Sequence, residues 1–287
     1  MKTGGMVYLK RMLMMENMEK RCVMGRVLIV SKLDAIVQYK AIAEEYPVGF
    51  EPNDFFIPSV LDDADKTAQL ISKYQQIGVP QGSTMHGAFF DIVVFSSDER
   101  IATVSKERMW QSMEIGRKLG SRGVVFHTNV MPMLYGKDYD AQVVSGTVSS
   151  LKELLMAYPD VAIYLENMFD RTPDIIETIS KELCSFPNYG VCLDYAHARI
   201  YGADYHDFVT RVQPYVKHIH INDNDLQHDL HLALGNGRID WQEFDAYYKN
   251  YFSDCSVLIE TNDPKDQIAS LKYIEQKMKI LAKELRK

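Results

Sequence analysis

Between His218 and His231 the chain places four histidines and three aspartates within fourteen residues. The segment Val216–Ile221 interleaves β-branched residues with His218 and His220, which reads as a short buried strand, and the polar run 222–229 cannot continue a core element. Imidazoles and carboxylates gathered just past a strand end are the donors a divalent cation needs. A solvated loop with incidental histidines is the plainer alternative for this stretch taken alone. Glu166 follows the apolar run 161–165 and Glu260 follows Ser256–Ile259, so both leave buried strands, where an unpaired charge is costly. A structural salt bridge would also explain them, yet few basic residues occupy the strand-end loops. Asp194 and His197 stand three residues apart past another strand, near enough for one ion or two neighbouring ions; a capping Asp and a surface His are the other reading. Asp229 and His231 alternate, so both face one way in an extended segment. His86 and His127 also close apolar runs, although either alone is as readily a hydrogen-bonded core histidine. His218, in phase with His220 but deeper, reads as a support for a ligand.

The elements that must carry these residues keep a regular beat. Apolar runs read as strands at 26–31, 48–51, 83–86, 123–128, 161–165, 189–193, 216–221 and 255–259. Helical spacing of apolar residues falls between them, at 33–45, 62–78, 98–119, 141–157, 173–185, 241–251 and 264–285, with Ser97 or Asp98 as a cap. Residues 196–205 read as a loop before a short helix near 208–212. Eight strand-helix units with short connections predict an α/β fold, a (β/α)8 TIM barrel in a single domain, because eight parallel strands close without an edge. In such a barrel the strand ends form one mouth. His86, His127, Glu166, Asp194, His220 and Glu260 stand at the ends of six consecutive strands, so they should converge there.

Composition narrows the class without naming a function. The 287 residues suit one large domain, and 46% hydrophobic with 25% charged residues is ordinary for a globular protein. The four cysteines form no C-x-x-C pair, which argues against a zinc ribbon or disulfide framework and for a reducing, cytoplasmic setting. No apolar run reaches the roughly 18 residues of a membrane span. Residues 1–25 are methionine-rich but broken by charges, and are expected as a poorly ordered N-terminal extension to a barrel at 26–287. A net charge of −7 works against nucleic-acid partners, though a local basic patch can outweigh it. A homo-oligomer is compatible with this composition.

Taken together, His86-Gly87, His127, Glu166-Asn167, Asp194-x-x-His197, His220-x-Asn-Asp223, Asp229-x-His231, Gly235-x-Gly237 with Ile239-Asp240-Trp241, and Glu260 resemble the xylose isomerase-like barrels. That superfamily includes sugar isomerases and epimerases together with endonuclease IV, and the resemblance covers nearly all of the chain from about Arg26 onward. Likeness to endonuclease IV implies three metal groups: His86, His127 and Glu166; Glu166, Asp194, His220 and Glu260; and His197, Asp229 and His231. Likeness to the ketose epimerases implies one metal on Glu166, Asp194, His220 and Glu260, with the two glutamates also moving protons. Those epimerases usually carry an arginine after the His220 strand, where this chain has Asp229-Leu230-His231.

Two functions are therefore expected to compete. The favoured one is a metal-dependent sugar, sugar-phosphate or polyol isomerase or epimerase using Zn²⁺, Mn²⁺, Mg²⁺ or Co²⁺. In it Glu166 and Glu260 transfer the proton, His197 assists, and Asn167 and Asp223 bind substrate. Phe89, Phe90 and Tyr195 are candidate pocket walls. The alternative is an endonuclease IV-like zinc phosphodiesterase acting on abasic DNA. It needs cationic loops, but the segment 222–241 holds four aspartates against Arg238 alone, leaving Lys137, Arg171 and Arg199 as scattered candidates.

Overall fold

Short apolar runs whose alternate residues face opposite ways build the barrel wall. In the computed structural model, which describes residues 26–89, 91–134 and 136–286, the extension at 1–25 and the wall position Phe90 lie outside the described residues. The strands are β1 (Val27–Ser31), β2 (Gly49–Pro52), β3 (Met85–His86), β4 (Gly123–His127), β5 (Ala162–Glu166), β6 (Tyr189–Asp194), β7 (Val216–Ile221) and β8 (Ser256–Ile259). They pair in parallel in the order β2-β1-β8-β7-β6-β5-β4-β3. At the remaining seam the Thr84 N–H donates to the Phe50 carbonyl at 3.1 Å and the Phe50 N–H donates to Ser83 Oγ at 2.9 Å. Helices cross between the strands, so the fold is the expected single (β/α)8 barrel.

Strand alternation sorts the side chains into two environments. Val27, Ile29, Val124, Phe126, Ile163, Leu165, Val191, Leu193, Ile219 and Ile259 point outward into the core shared with the helices. Leu28, Val30 and Leu258 pack inside the barrel, as do Val125, Tyr164 and Cys192. Two residues further along each strand the inner face turns polar: Val125 leads to His127, Tyr164 to Glu166, Cys192 to Asp194 and Leu258 to Glu260. An apolar plug thus underlies a charged mouth. Close packing inside the wall is visible at Gly123, where a Cβ would collide with the Tyr164 ring.

Three elements differ from the sequence-based expectation. Residues 196–205, expected as a loop, begin in the helix Tyr195–Tyr201, because the Asp194 side chain accepts from the His197 N–H and caps it. The closing helix ends at Lys277 and gives way to the 3-10 segment Leu281–Arg286. The cause is Asp245, whose carboxylate accepts from the N–H groups of Lys279, Ile280 and Leu281 and so starts a new turn. A further helical turn, Pro58–Leu61, precedes the helix Ala64–Ile77. Among the described residues no helix is long and apolar enough to cross a membrane.

Candidate metal centre

Register carries the chemistry to one place. His127 lies beside Glu166 across β4 and β5, and Asp194 beside His220 across β6 and β7. Glu166 is the hub. Its Oε2 lies 3.7 Å from His86 Nε2, 3.3 Å from His127 Nε2 and 3.4 Å from His220 Nδ1. His220 Nδ1 is also 3.5 Å from Glu260 Oε2. To one side, Asp229 Oδ2 lies 3.3 Å from His197 Nε2 and 3.0 Å from His231 Nε2. The structure therefore gathers three clusters: His86, His127 and Glu166; Glu166, Asp194, His220 and Glu260; and His197, Asp229 and His231.

Both spacing and donor chemistry fit divalent ions. Most of these contacts are longer than hydrogen bonds, and near the ~3.3–3.6 Å that separates donors sitting about 2.0–2.2 Å from a tetrahedral ion. Both Glu166 oxygens, Asp194 Oδ2, Asp229 Oδ1, Glu260 Oε2 and His220 Nδ1 are buried without a hydrogen-bond partner. Buried polar atoms are rarely left so, and a cation among them would satisfy them together. Histidine orientation agrees. His86 Nδ1 donates to the Gly87 carbonyl at 2.9 Å, His197 Nδ1 to the Asn167 carbonyl at 2.9 Å, and His231 Nδ1 to the Glu260 carbonyl at 2.8 Å. A carbonyl can only accept, so each ring is held with its Nε2 lone pair toward the cluster.

The electrostatics show how tightly charge is packed. Burial, reinforced by Glu260 and Glu166 and opposed by His197, pushes the Asp194 carboxyl up to about 8. Burial acts on Glu166 as well, but the facing His220 and His127 outweigh it and hold its carboxyl well below the usual range. His197 is depressed by burial, yet Asp194, Asp229 and Glu166 together raise it well above an ordinary imidazole. Backbone strain is stored at the rim: His231 has φ +48°, a left-handed conformation costing a bulky residue on the order of 1–3 kcal/mol. That conformation turns its ring toward Asp229.

Several expected substrate contacts belong to the framework instead. The Asn167 carboxamide accepts from the Asp194 N–H and donates to the Asp194 carbonyl, both at 2.9 Å, so it clamps the end of β6 rather than reaching a substrate. Asp223, fully buried, accepts from the N–H groups of Asn224, Gly235 and Ile239 and from the Trp241 indole. It fixes the loop that carries Asp229 and His231. Gly237 is required there, because a Cβ would collide with the Asn224 carbonyl and the Asp223 carboxylate. Tyr195 is no pocket wall: it packs against Trp241 and Phe244 in the outer layer and its hydroxyl donates to Glu243. Phe89 does sit at the site, its ring 4.9 Å from His86 and 5.1 Å from His127.

Sequence reasoning missed Glu51. Its side chain is fully buried at the end of β2, with Oε1 3.5 Å from His220 Nε2 and Oε2 3.3 Å from His218 Nε2. The signal was present, since Glu51 ends an apolar strand as Glu166 does. Beside the mouth, the loops after β4 and β5 frame a cavity of about 370 Å³ lined by Val130, Leu134, Tyr139, Phe169, Asp170 and Arg171, among others.

A family model described as xylose isomerase-like TIM barrel matches residues 41–284. An uncharacterized protein of Methanocaldococcus jannaschii is 27% identical over 207 residues, which is 69% of this chain and 70% of that protein. A D-tagatose 3-epimerase-like protein superposes with a TM-score of 0.71 at 24% identity, over 91% of this chain and 97% of that one. A Thermus thermophilus protein soaked with ZnCl2 gives a TM-score of 0.70 at 20% identity, over 87% of this chain and 96% of that one. At these identities the structural likeness shows the fold.

The framework role of Asp223 has a measurable consequence. Asp223→Ala should lower unfolding stability in urea by about 3–5 kcal/mol, because several buried donors lose their acceptor. Asp223→Asn should lose less. Unchanged stability with only a raised KM would instead make Asp223 a substrate group.

Proposed function

The chain belongs to the xylose isomerase-like TIM barrel family, and on that premise we propose that it is a metal-dependent isomerase or epimerase of a sugar, sugar phosphate or polyol. The observation that carries this reading is that Glu166 and Glu260, from different strands, flank the same His220 nitrogen at 3.4 and 3.5 Å. Two carboxylates converging on one point can serve a carbon from two sides. A Zn²⁺, Mn²⁺, Mg²⁺ or Co²⁺ ion held by Glu166, Asp194, His220 and Glu260 would bind adjacent substrate oxygens and acidify the C–H between them. Within that frame one glutamate takes the proton from the carbon beside the carbonyl. The other delivers a proton to the opposite face in an epimerase, or to the neighbouring carbon in an isomerase. Phe89 borders the substrate as a wall, and His197, both of whose ring nitrogens are engaged, acts through the cluster it forms with Asp229 and His231. The similarity to a D-tagatose 3-epimerase-like protein supports the sugar class, and the similarity to a zinc-soaked protein supports the metal.

A second reading is kept alive by the His197, Asp229 and His231 cluster, which one ion does not need. It is the phosphodiesterase of the endonuclease IV type, with ions activating water at a phosphate. Against it, Arg199, one of the few cations near the strand ends, is turned to the outer layer, where it pairs with Glu243 at 2.7 Å and stacks over Tyr205. Its removal from the mouth leaves DNA phosphates fewer partners.

Three outcomes are expected. Glu166→Gln and Glu260→Gln should each lower kcat by about 10²–10⁴-fold and reduce bound metal; near-wild-type turnover with full metal in either would remove the mechanism. The Asp229→Ala/His231→Ala double variant should lose a distinct fraction of bound metal after dialysis. If its metal content is unchanged, the site reduces to a single ion. Abasic duplex DNA should not be incised at low enzyme concentration, and chelator-sensitive nicking would promote the phosphodiesterase reading.

A further inference from the structure

His220 is oriented differently from its neighbours. His86, His197 and His231 are each fixed through Nδ1 by a backbone carbonyl and aim Nε2 at the cluster. His220 aims Nδ1 at Glu166 and Glu260, and its Nε2 faces the carboxylate of Glu51, 3.5 Å away beneath the mouth. We propose that Glu51 is a positioning residue that holds His220 as the Nε2–H tautomer with its Nδ1 lone pair toward the ion cluster. We further propose that a directed hydrogen-bond chain through the barrel axis fixes Glu51 in turn. The inference rests on the metal reading above for its consequence, but not for its geometry.

The direction of the chain is set by Glu51, whose carboxylate can only accept. Arg122, just before β4 and so at the opposite face of the barrel, donates from Nη2 to Ser256 Oγ; a guanidinium has no acceptor. The Ser256 hydroxyl lies 2.6 Å from His218 Nδ1, and because His218 donates to Glu51 from Nε2, a neutral His218 accepts the Ser256 hydrogen at Nδ1. His218 Nε2 faces Glu51 Oε2 at 3.3 Å. Thr84 Oγ1 donates to the same oxygen at 2.6 Å. Glu51 Oε2 is then supplied by two donors, and Oε1, buried without a hydrogen-bond partner, faces His220 Nε2 at 3.5 Å. A carboxylate can only accept, so the His220 nitrogen that faces it, Nε2, is the one that carries a hydrogen.

The same network explains the nearby group formed by Cys192, His218 and His220, whose atoms lie close enough to hold a fourth ion. Both His218 nitrogens are already engaged, and His220 has its Nδ1 turned to the mouth. The Glu51 charge is thus matched to orienting an imidazole rather than to binding a metal. A fully buried carboxylate is costly, and a core of this kind would be filled more stably by an apolar side chain.

The test reads the tautomer directly. In metal-free wild-type protein, ¹⁵N NMR of the imidazoles should show a proton on His220 Nε2, the nitrogen that faces Glu51. Glu51→Gln, which keeps the shape, places an amide donor against Thr84 and His218 or against His220. It should yield mixed His220 tautomers and weaken Zn²⁺ binding by about 10–100-fold at the Glu166, Asp194, His220 and Glu260 cluster. Metal held by His197, Asp229 and His231 should be retained. Ser256→Ala, a milder change that keeps the fold if Glu51→Gln does not, should disturb the His218 tautomer first and cost less affinity. A bare His220 Nε2 in the wild type, or wild-type Nε2 protonation and affinity in folded Glu51→Gln, would overturn the proposal. Failure of the wild type to bind Zn²⁺ would overturn the proposed function instead, and the tautomer measurement is read without metal.

Discussion

The burial of several carboxylates in one small volume is the constraint on which the rest of the structure depends. Glu51, Glu166 and Asp194 are fully buried, and Glu260 closes the same space at its rim. Among the described residues the ion-pair partners of these carboxylates are histidines. Imidazole is a weak counter-charge for so many anions, and an uncompensated buried charge costs several kcal/mol. The opposite shifts of Asp194 and Glu166 express this strain: one carboxyl is driven toward its neutral form while the other remains charged. Divalent cations would resolve the conflict with the donors already present, and a barrel mouth supplies the rigid wall that keeps those donors from relaxing apart.

The scaffold meets the demand in layers. Apolar side chains below the mouth exclude water, which strengthens every interaction above them. Backbone carbonyls at Gly87, Asn167 and Glu260 aim three of the imidazoles. Asp194 divides its oxygens, one capping the following helix and the other facing the cluster. The loop after β7, stitched by Asp223, brings Asp229 and the strained His231 over the edge. Rigid strands hold Glu166 and Glu260, while this loop supplies the additional cluster, so the two parts can be altered separately.

Much of this was legible in the sequence, because strand period and residue type act together. The strand ends at His86, His127, Glu166, Asp194, His220 and Glu260 are legible as the points where apolar runs stop at a polar residue, and the pairing of Asp229 with His231 by its spacing. What stayed hidden were partners, since a residue type does not say which neighbour receives it. Asn167 and Asp223 looked like substrate groups, yet their hydrogen-bonding capacity is absorbed by backbone. Arg199 looked like a mouth cation, but the helix Tyr195–Tyr201 carries it to the outer layer. Glu51 was passed over because β2 is only four residues long and its lone acid resembles a surface residue.

The account stands most directly on whether an ion occupies the cluster shared by the two glutamates. Crystals grown with Zn²⁺ or Mn²⁺ and measured on either side of the metal's absorption edge would show this by anomalous scattering. The account predicts a strong peak among Glu166, Asp194, His220 and Glu260, with His220 bonded through Nδ1. A mouth without any anomalous peak, or one whose ions avoid Glu166 and Glu260, would contradict it.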